Sequence, residues 1–293
     1  MKPTAIVPSA NDLGEGPLWN DRDGKLWWTD IHASRLHRYD PVSGAVETIA
    51  TPERLCSYAF LPEKGPRILA AFETGLAYFD VDTKSVEWIA RPETLGSGRR
   101  FNDGRTDAQG RFWVGTLVEN AAKAGAASGA LFRFGRDGTL SQQANGVSIS
   151  NSLCTSPDGR TLYFSDTPTK VIQAYDLDPD SGAIANRRVF AEVSDGYPDG
   201  AVVDEEGCLW SARWGAGEVV RHAPDGKIVS RLKVPARQVS CVAFGGPDRK
   251  TLFVTSAREG YDAAALAQDP EAGNLFVYQV DVAGQPVVPF NPG

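Results

Sequence analysis

Apolar and polar positions alternate with a period of two along most of the chain, and Gly/Asp clusters break the alternation at intervals, so strands joined by tight turns are predicted. The clearest unit is a turn followed by a short, mostly aromatic strand. It occurs as DRDGKLWWTD (21–30), EKGPRILAAF (63–72), DAQGRFWVGT (107–116), SPDGRTLYFSD (156–166), DEEGCLWSAR (204–213) and GPDRKTLFVTS (246–256). Taking Trp27, Leu69, Trp113, Tyr163, Trp210 and Phe253 as equivalent anchors gives intervals of 42, 44, 50, 47 and 43 residues, so six copies consume the chain. Behind each anchor comes a second signature, a strand, a Gly/Asp turn and another strand, from RLHRYDPVSGAVETI (35–49) to GNLFVYQVDVAGQPVVPF (273–290). Gly and Asp tolerate the positive φ that such hairpin turns demand.

Four antiparallel strands repeated six times predict an all-β fold, a six-bladed β-propeller forming one domain over 1–293, with the first strand of each blade lining a central channel. The spare apolar piece TAIVP (4–8) is expected to pair with the carboxyl-terminal blade and close the ring. Two Ala-rich insertions, ENAAKAGAA (119–127) and YDAAALAQDPEAG (261–273), are short helices or loops. The first is placed either as a lid over the channel mouth, spanning 119–129, or as a plain solvated loop.

Repetition also turns spacing into geometry. Between 11 and 13 residues before each anchor stands a polar residue: Glu15, Ser57, Asn102 with Asp103, Asn151, Asp199 and Ser240. Equivalent offsets put these side chains on equivalent ends of the innermost strands, converging on the axis. Carboxylates and amides gathered in a narrow channel repel and lack water unless a cation joins them. Oxygen donors suit a hard divalent ion such as Ca²⁺, Mg²⁺ or Mn²⁺, and Zn²⁺ less naturally. The histidines His32, His37 and His222 share no metal-ligand spacing and are read as surface or channel-rim residues. Arg100 beside Arg99, taken alone, reads as half of a solvated pair. The run Asp176 to Gly182 imitates a calcium loop, but its Gly falls one place late and Pro179 interrupts it, so it reads as a hairpin turn.

Composition narrows the partners. Thirty basic residues stand against 37 acidic ones with no extended Lys/Arg run, which argues against nucleic acid or an anionic membrane. No stretch approaches the ~18 apolar residues of a spanning helix, and MKPTAIVPSAND lacks the pattern of a signal peptide. The expectation is a soluble, cytoplasmic monomer acting on a small molecule. The cysteines Cys56, Cys154, Cys208 and Cys241 are widely spaced with no C-x-x-C, and read as small buried thiols. No GxSxG elbow, phosphate loop or nucleophile with an obvious His partner is present, which leaves metal-assisted attack by water.

The motifs GEGPLW (14–19), RFNDGRTDAQGRFWVGT (100–116), SISNSL (148–153), YPDGAVVDEEGCLW (197–210), CVAFGG (241–246) and TSAREG (255–260) resemble, in order and over essentially the whole chain, the regucalcin/gluconolactonase family, also called the senescence marker protein family. The resemblance implies a six-bladed propeller that binds one divalent metal ion (Ca²⁺, Zn²⁺ or Mn²⁺) in its channel and hydrolyses aldonolactones. It implies Glu15, Asn151 and Asp199 as metal ligands, with Asp199 also as the catalytic base. Arg100, Asn102 and Asp103 then correspond to substrate-contacting positions, and Glu119 stands where acids often follow the G-T-M strand. Two departures are visible: Ser152 replaces the usual Gly after the ligand Asn, and Asn120 stands where a second acid is common. Two other readings stay open, a calcium-dependent aryl-esterase or phosphotriesterase propeller and a non-catalytic calcium-binding propeller.

Overall fold

The computed structural model describes residues 1–63 and 65–293 and contains six four-stranded antiparallel sheets arranged as the blades of a β-propeller. Residue 64, inside the turn expected in the second blade, lies outside the described residues. Five blades follow sequence order, at 14–50, 55–90, 99–147, 150–192 and 197–233. The sixth is composite: Val239–Gly245, Thr251–Ser256 and Leu275–Gln279 are completed at the outer edge by Ala5–Val7, which sets Ile6 opposite Phe276. The seal expected from TAIVP therefore forms, joining the two ends of the chain in one sheet.

All six anchors lie on second strands and are buried. In three blades the turn that precedes the anchor is locked to it by an Asp carboxylate. Asp23 accepts the Trp27 indole N–H at 2.9 Å, Asp107 that of Trp113 at 2.9 Å, and Asp204 that of Trp210 at 2.8 Å. Asp107 also accepts the backbone N–H groups of Gln109 and Arg111, each at 3.0 Å, so one side chain both shapes the turn and orients the aromatic ring. Between blades the apolar faces interdigitate, as where Trp27 and Leu36 of the first blade pack with Tyr58, Phe60 and Phe72 of the second.

The carboxyl-terminal hairpin expected at 273–290 does not form. Its second half leaves the sheet after Gln279, because the edge it would occupy is taken by Ala5–Val7. Residues 280–293 instead run as a strap beneath the ring, across the far ends of the inner strands. The Ala283 carbonyl accepts the Glu205 N–H at 2.9 Å, and the Gln285 amide donates to the Val203 carbonyl at 3.2 Å. Further on, the Thr106 hydroxyl donates to the Val288 carbonyl, and the Phe290 N–H reaches the Phe60 carbonyl at 2.8 Å while its ring stacks on Phe134 with centroids 4.9 Å apart.

Both Ala-rich insertions contain short helices. Ala121–Ala124 is capped by the Asn120 side chain and Ala263–Gln268 by that of Asp262. The first is tied to the start of the third blade, where Arg99 donates to the Ala124 carbonyl at 2.6 Å. Among the described residues, no helix is long and apolar enough to cross a membrane.

Candidate functional site

Each inner strand carries one residue more than the second strand it pairs with. The irregularities fall between Glu15 and Leu18, Leu55 and Ser57, Phe101 and Gly104, Asn151 and Cys154, Pro198 and Ala201, and Val239 and Cys241. A bulge bends its strand and re-aims the side chains beside it. Repeated six times near the start of the inner strand, it sets one polar position per blade at the mouth end of the inner strands.

Two of these bulges require a left-handed backbone. Gly16 adopts φ 54° and Ser152, directly after Asn151, adopts φ 60°. Glycine takes this conformation freely, whereas a Cβ makes it cost about 1 kcal/mol. The departure noted in the sequence thus leaves the turn intact, and Ser152 offsets the strain by donating its hydroxyl to the Asp199 carbonyl at 2.7 Å, lacing blade four to blade five. Ser152→Gly is expected to change stability by less than about 1 kcal/mol, since relieved strain opposes the lost bond. Ser152→Ala keeps the strain and loses the bond, so it should be the less stable of the two by about 1 kcal/mol in denaturant titrations. The reverse order would contradict the assignment.

A cavity of about 590 Å³ opens at this end of the ring. Four register positions line it, Glu15, Asn102, Asn151 and Asp199, together with Arg100 and Glu119. The other two positions act in the framework. Ser240 donates to the Gly14 carbonyl and bonds the Thr255 hydroxyl at 3.0 Å, while Ser57 is buried beside Gly104. Asp103, expected to hold substrate, is not on the lining: it is buried, and its Oδ2 accepts the Leu153 N–H at 2.9 Å, because the bulge turns it toward the neighbouring strand.

The site's electrostatics are dominated by unpaired acid. Glu15 and Asp199 are 8% and 6% exposed, and among the described residues neither they nor Asp103 form an ion pair. Burial and the Asp103 carboxylate push Glu15 up to about 8, against the Gly16 N–H at 3.0 Å, Arg100 and Arg105, which pull it down. Asp199 is raised well above the usual range by burial and by the charges of Glu15 and Asp103. Asn151 is oriented by its neighbours. Its Nδ2 donates to the Thr167 hydroxyl at 2.8 Å, which donates in turn to the Pro198 carbonyl at 2.9 Å, and its Oδ1 accepts from Asn102 at 3.2 Å.

Among the described residues no three His, Cys, Asp or Glu side chains are close enough to hold a metal ion by themselves. What the channel offers is two carboxylates and an amide oxygen, a hard-oxygen set. Its fit to a divalent cation rests on the two buried carboxylates, Glu15 made costly to ionise by burial and by Asp103, and Asp199 by burial and by Glu15 and Asp103, with neither held in an ion pair among the described residues.

The opposite wall is basic but internally balanced. Arg100 is 2% exposed and donates to Asn102 Oδ1 at 2.6 Å, to the Phe101 carbonyl at 3.0 Å and to Glu119 at 3.0 Å. Glu119 also receives both terminal nitrogens of Arg54, at 2.7 and 2.9 Å. The two guanidinium groups outweigh its partial burial and hold the Glu119 carboxyl down at about 2. Arg100 is therefore a fixed wall rather than the solvated residue its neighbour Arg99 suggested.

The other titratable groups fall away from the site or fail to suit it. His37 and His222 are buried, contrary to the rim placement expected for them; burial is the main cause that depresses both to about 4. His37 stacks on Trp28 and His222 faces Arg213, positions that belong to packing within a blade. His32 does lie at the rim, 2.6 Å from Glu259. All four cysteines are free and buried, and burial raises their thiols, which disfavours a thiolate nucleophile.

Sequence spacing missed Glu259, Trp214, Tyr197 and Thr167, which also line the cavity. Glu259 had a signal: it stands six residues after the anchor Phe253, as Glu119 stands six after Trp113, so the two acids rise from equivalent loops of opposite blades.

Fold and site together define a propeller with a single-mouthed acidic pocket on its axis. Residues 13–258 match the family described as the SMP-30/Gluconolactonase/LRE-like region, and the chain belongs to that family. It is 40% identical over 281 residues to a 6-deoxy-6-sulfogluconolactonase of Pseudomonas putida, covering 95% of each chain. It is 39% identical over 290 residues to an L-arabinolactonase of Azospirillum brasilense, covering 98% of this chain and 95% of that one. Among solved structures, a calcium-binding protein, regucalcin, from Agrobacterium tumefaciens superposes with a TM-score of 0.92 at 34% identity, over 99% of this chain and 98% of that one.

Proposed function

We propose that the protein is a sugar lactonase that hydrolyses an aldonolactone to the open-chain aldonic acid with the help of one divalent cation. The observation that carries this reading is the meeting of Glu15, Asn151 and Asp199, from three separate blades, on one cavity faced by a rigid Arg100 wall. Glu15, Asn151 and Asp199 would hold the cation; Ca²⁺, Mn²⁺ and Zn²⁺ are the candidates. The chemistry such an ion supplies when bound is polarisation of the lactone carbonyl.

Asp199 accepts the proton of the water that attacks the carbonyl carbon, the acyl C–O bond of the ring breaks, and the proton passes to the departing ring oxygen. Burial and the charges of Glu15 and Asp103 raise its affinity for protons in the cation-free site, and a bound cation would lower it again, leaving the carboxylate ionised and able to accept one. Arg100, pinned by Glu119 and two carbonyl-type oxygens, presents a preorganised donor to the ring hydroxyls without losing rotamer entropy on binding. Asn102 and Glu119 complete that wall, while Asp103 adds negative charge from behind it.

The test is a pH-drop assay on gluconic, galactonic, xylonic and arabinonic lactones, with an aryl ester alongside, using chelated and metal-restored protein. Hydrolysis of at least one lactone that is lost on chelation and restored by a divalent cation is expected. Turnover of the aryl ester alone would favour an aryl-esterase, and no cation-dependent turnover of any substrate would overturn the reading.

A further inference from the structure

Below the carboxylates lies a cation that the proposed reaction does not use. Arg105 follows the bulge of the third inner strand, and its Nη2 reaches 3.9 Å from Sγ of Cys241 on the sixth, the blade diametrically opposite. The guanidinium therefore crosses the channel. Its charge acts on Glu15, Tyr58, Asp103, Cys154 and Cys241, side chains on the inner strands of five of the six blades, which places it close to the axis. Its Nε is buried without a hydrogen-bond partner among the described residues. The carboxyl-terminal strap passes beneath, bonded to Thr106 next in sequence, and separates this level from solvent on the lower face.

Arg100 is matched by Glu119 and Glu259 bonds His32 at the rim, so the unmatched charges below the mouth are the carboxylates of Glu15, Asp103 and Asp199 and the guanidinium of Arg105. With the acids ionised, three negative charges against one positive leave a deficit of two. Resting on the cation site proposed above, we infer that Arg105 is a built-in counter-charge that fixes the charge of the accepted ion at +2 and makes the pocket discriminate against trivalent cations. Repulsion from the guanidinium grows with the charge of the ion, whereas the oxygen donors alone would favour the higher charge. The ratio of trivalent to divalent affinity reports this term directly, because protons displaced from the empty site cancel between the two ions.

Isothermal titration with CaCl₂ and LaCl₃ on the full chain, wild type and Arg105→Met, tests it. The La³⁺/Ca²⁺ affinity ratio is expected to rise about tenfold in Arg105→Met, the scale of one unit-charge interaction across a partly wet channel. Arg105→Lys, which keeps the charge, should hold the wild-type ratio, and Arg105→Gln carries the same expectation as Met should the latter misfold. An unchanged ratio in a folded neutral variant overturns the role of Arg105 while leaving the cation site standing. A wild-type chain that binds neither ion overturns the site, and this inference with it.

Discussion

Asp199→Asn is expected to lower kcat for lactone hydrolysis by at least about 10³-fold while the chain folds normally. The substitution keeps the shape and one oxygen donor but removes the acceptance of a proton and one negative charge, so the loss of kcat is read at saturating cation. Stability should not fall with activity. In the cation-free protein the Asp199 carboxyl is held toward its neutral form by burial and by Glu15 and Asp103, and a neutral amide suits that environment at least as well. The thermal midpoint in chelator should therefore equal or exceed that of the wild type at mildly alkaline pH. Glu15→Gln separates the two roles assigned to this pair: it should weaken cation affinity yet retain measurable turnover at saturating cation, since Glu15 moves no proton. Near-normal hydrolysis by Asp199→Asn would remove Asp199 from the chemistry, and a collapsed fold would show that it serves the framework.

Much of the fold was legible because every blade obeys the same local rules. The Asp that shapes a turn also holds the Trp three residues beyond its glycine, as in Asp107 and Trp113, so the anchor motif records a tertiary contact inside a local sequence. The site was legible for a related reason. The bulge sits at a nearly fixed distance from the anchor, and Glu15, Asn102, Asn151 and Asp199 inherit that distance. What spacing does not encode is the direction in which a bulge points its individual side chains. Asn102 and Asp103 are adjacent and equally polar, yet one faces the cavity and the other caps a backbone N–H of the next blade.

Competition for an edge is also invisible locally. QPVVPF reads from the repeat as the last strand of the sixth blade, but Ala5–Val7 holds that position, and Pro286 and Pro289 could not donate to a ladder there. The burial of His37 and His222 follows from packing across strands, with Trp28 over one ring and Phe190 near the other, and a three-histidine count gave no hint of it. Glu259 was recoverable from its offset, but only once the loop after each second strand is recognised as the structure that rises around the mouth.

Cation binding and pH should prove to be one linked equilibrium. Glu15 rests at about 8 without a counter-ion, above its ordinary value of 4.5, and Asp199 shifts in the same direction. An acid whose affinity for protons is higher folded than unfolded stabilises the fold at low pH, and that contribution is lost as pH rises through the folded value. In chelator, then, the thermal midpoint should fall between about pH 5 and about pH 9 as these carboxyls are forced to ionise without a partner. Calcium should reverse the trend, because the ion occupies the place of the protons. Its stabilising increment should be small at about pH 5, grow through neutrality and reach several kcal/mol near pH 9, with protons released to the buffer on binding at pH 7. Calorimetric melts with chelator or with saturating Ca²⁺ across that range read out both halves. A calcium increment independent of pH, or binding without proton release, would mean that the ion is held elsewhere than between Glu15 and Asp199.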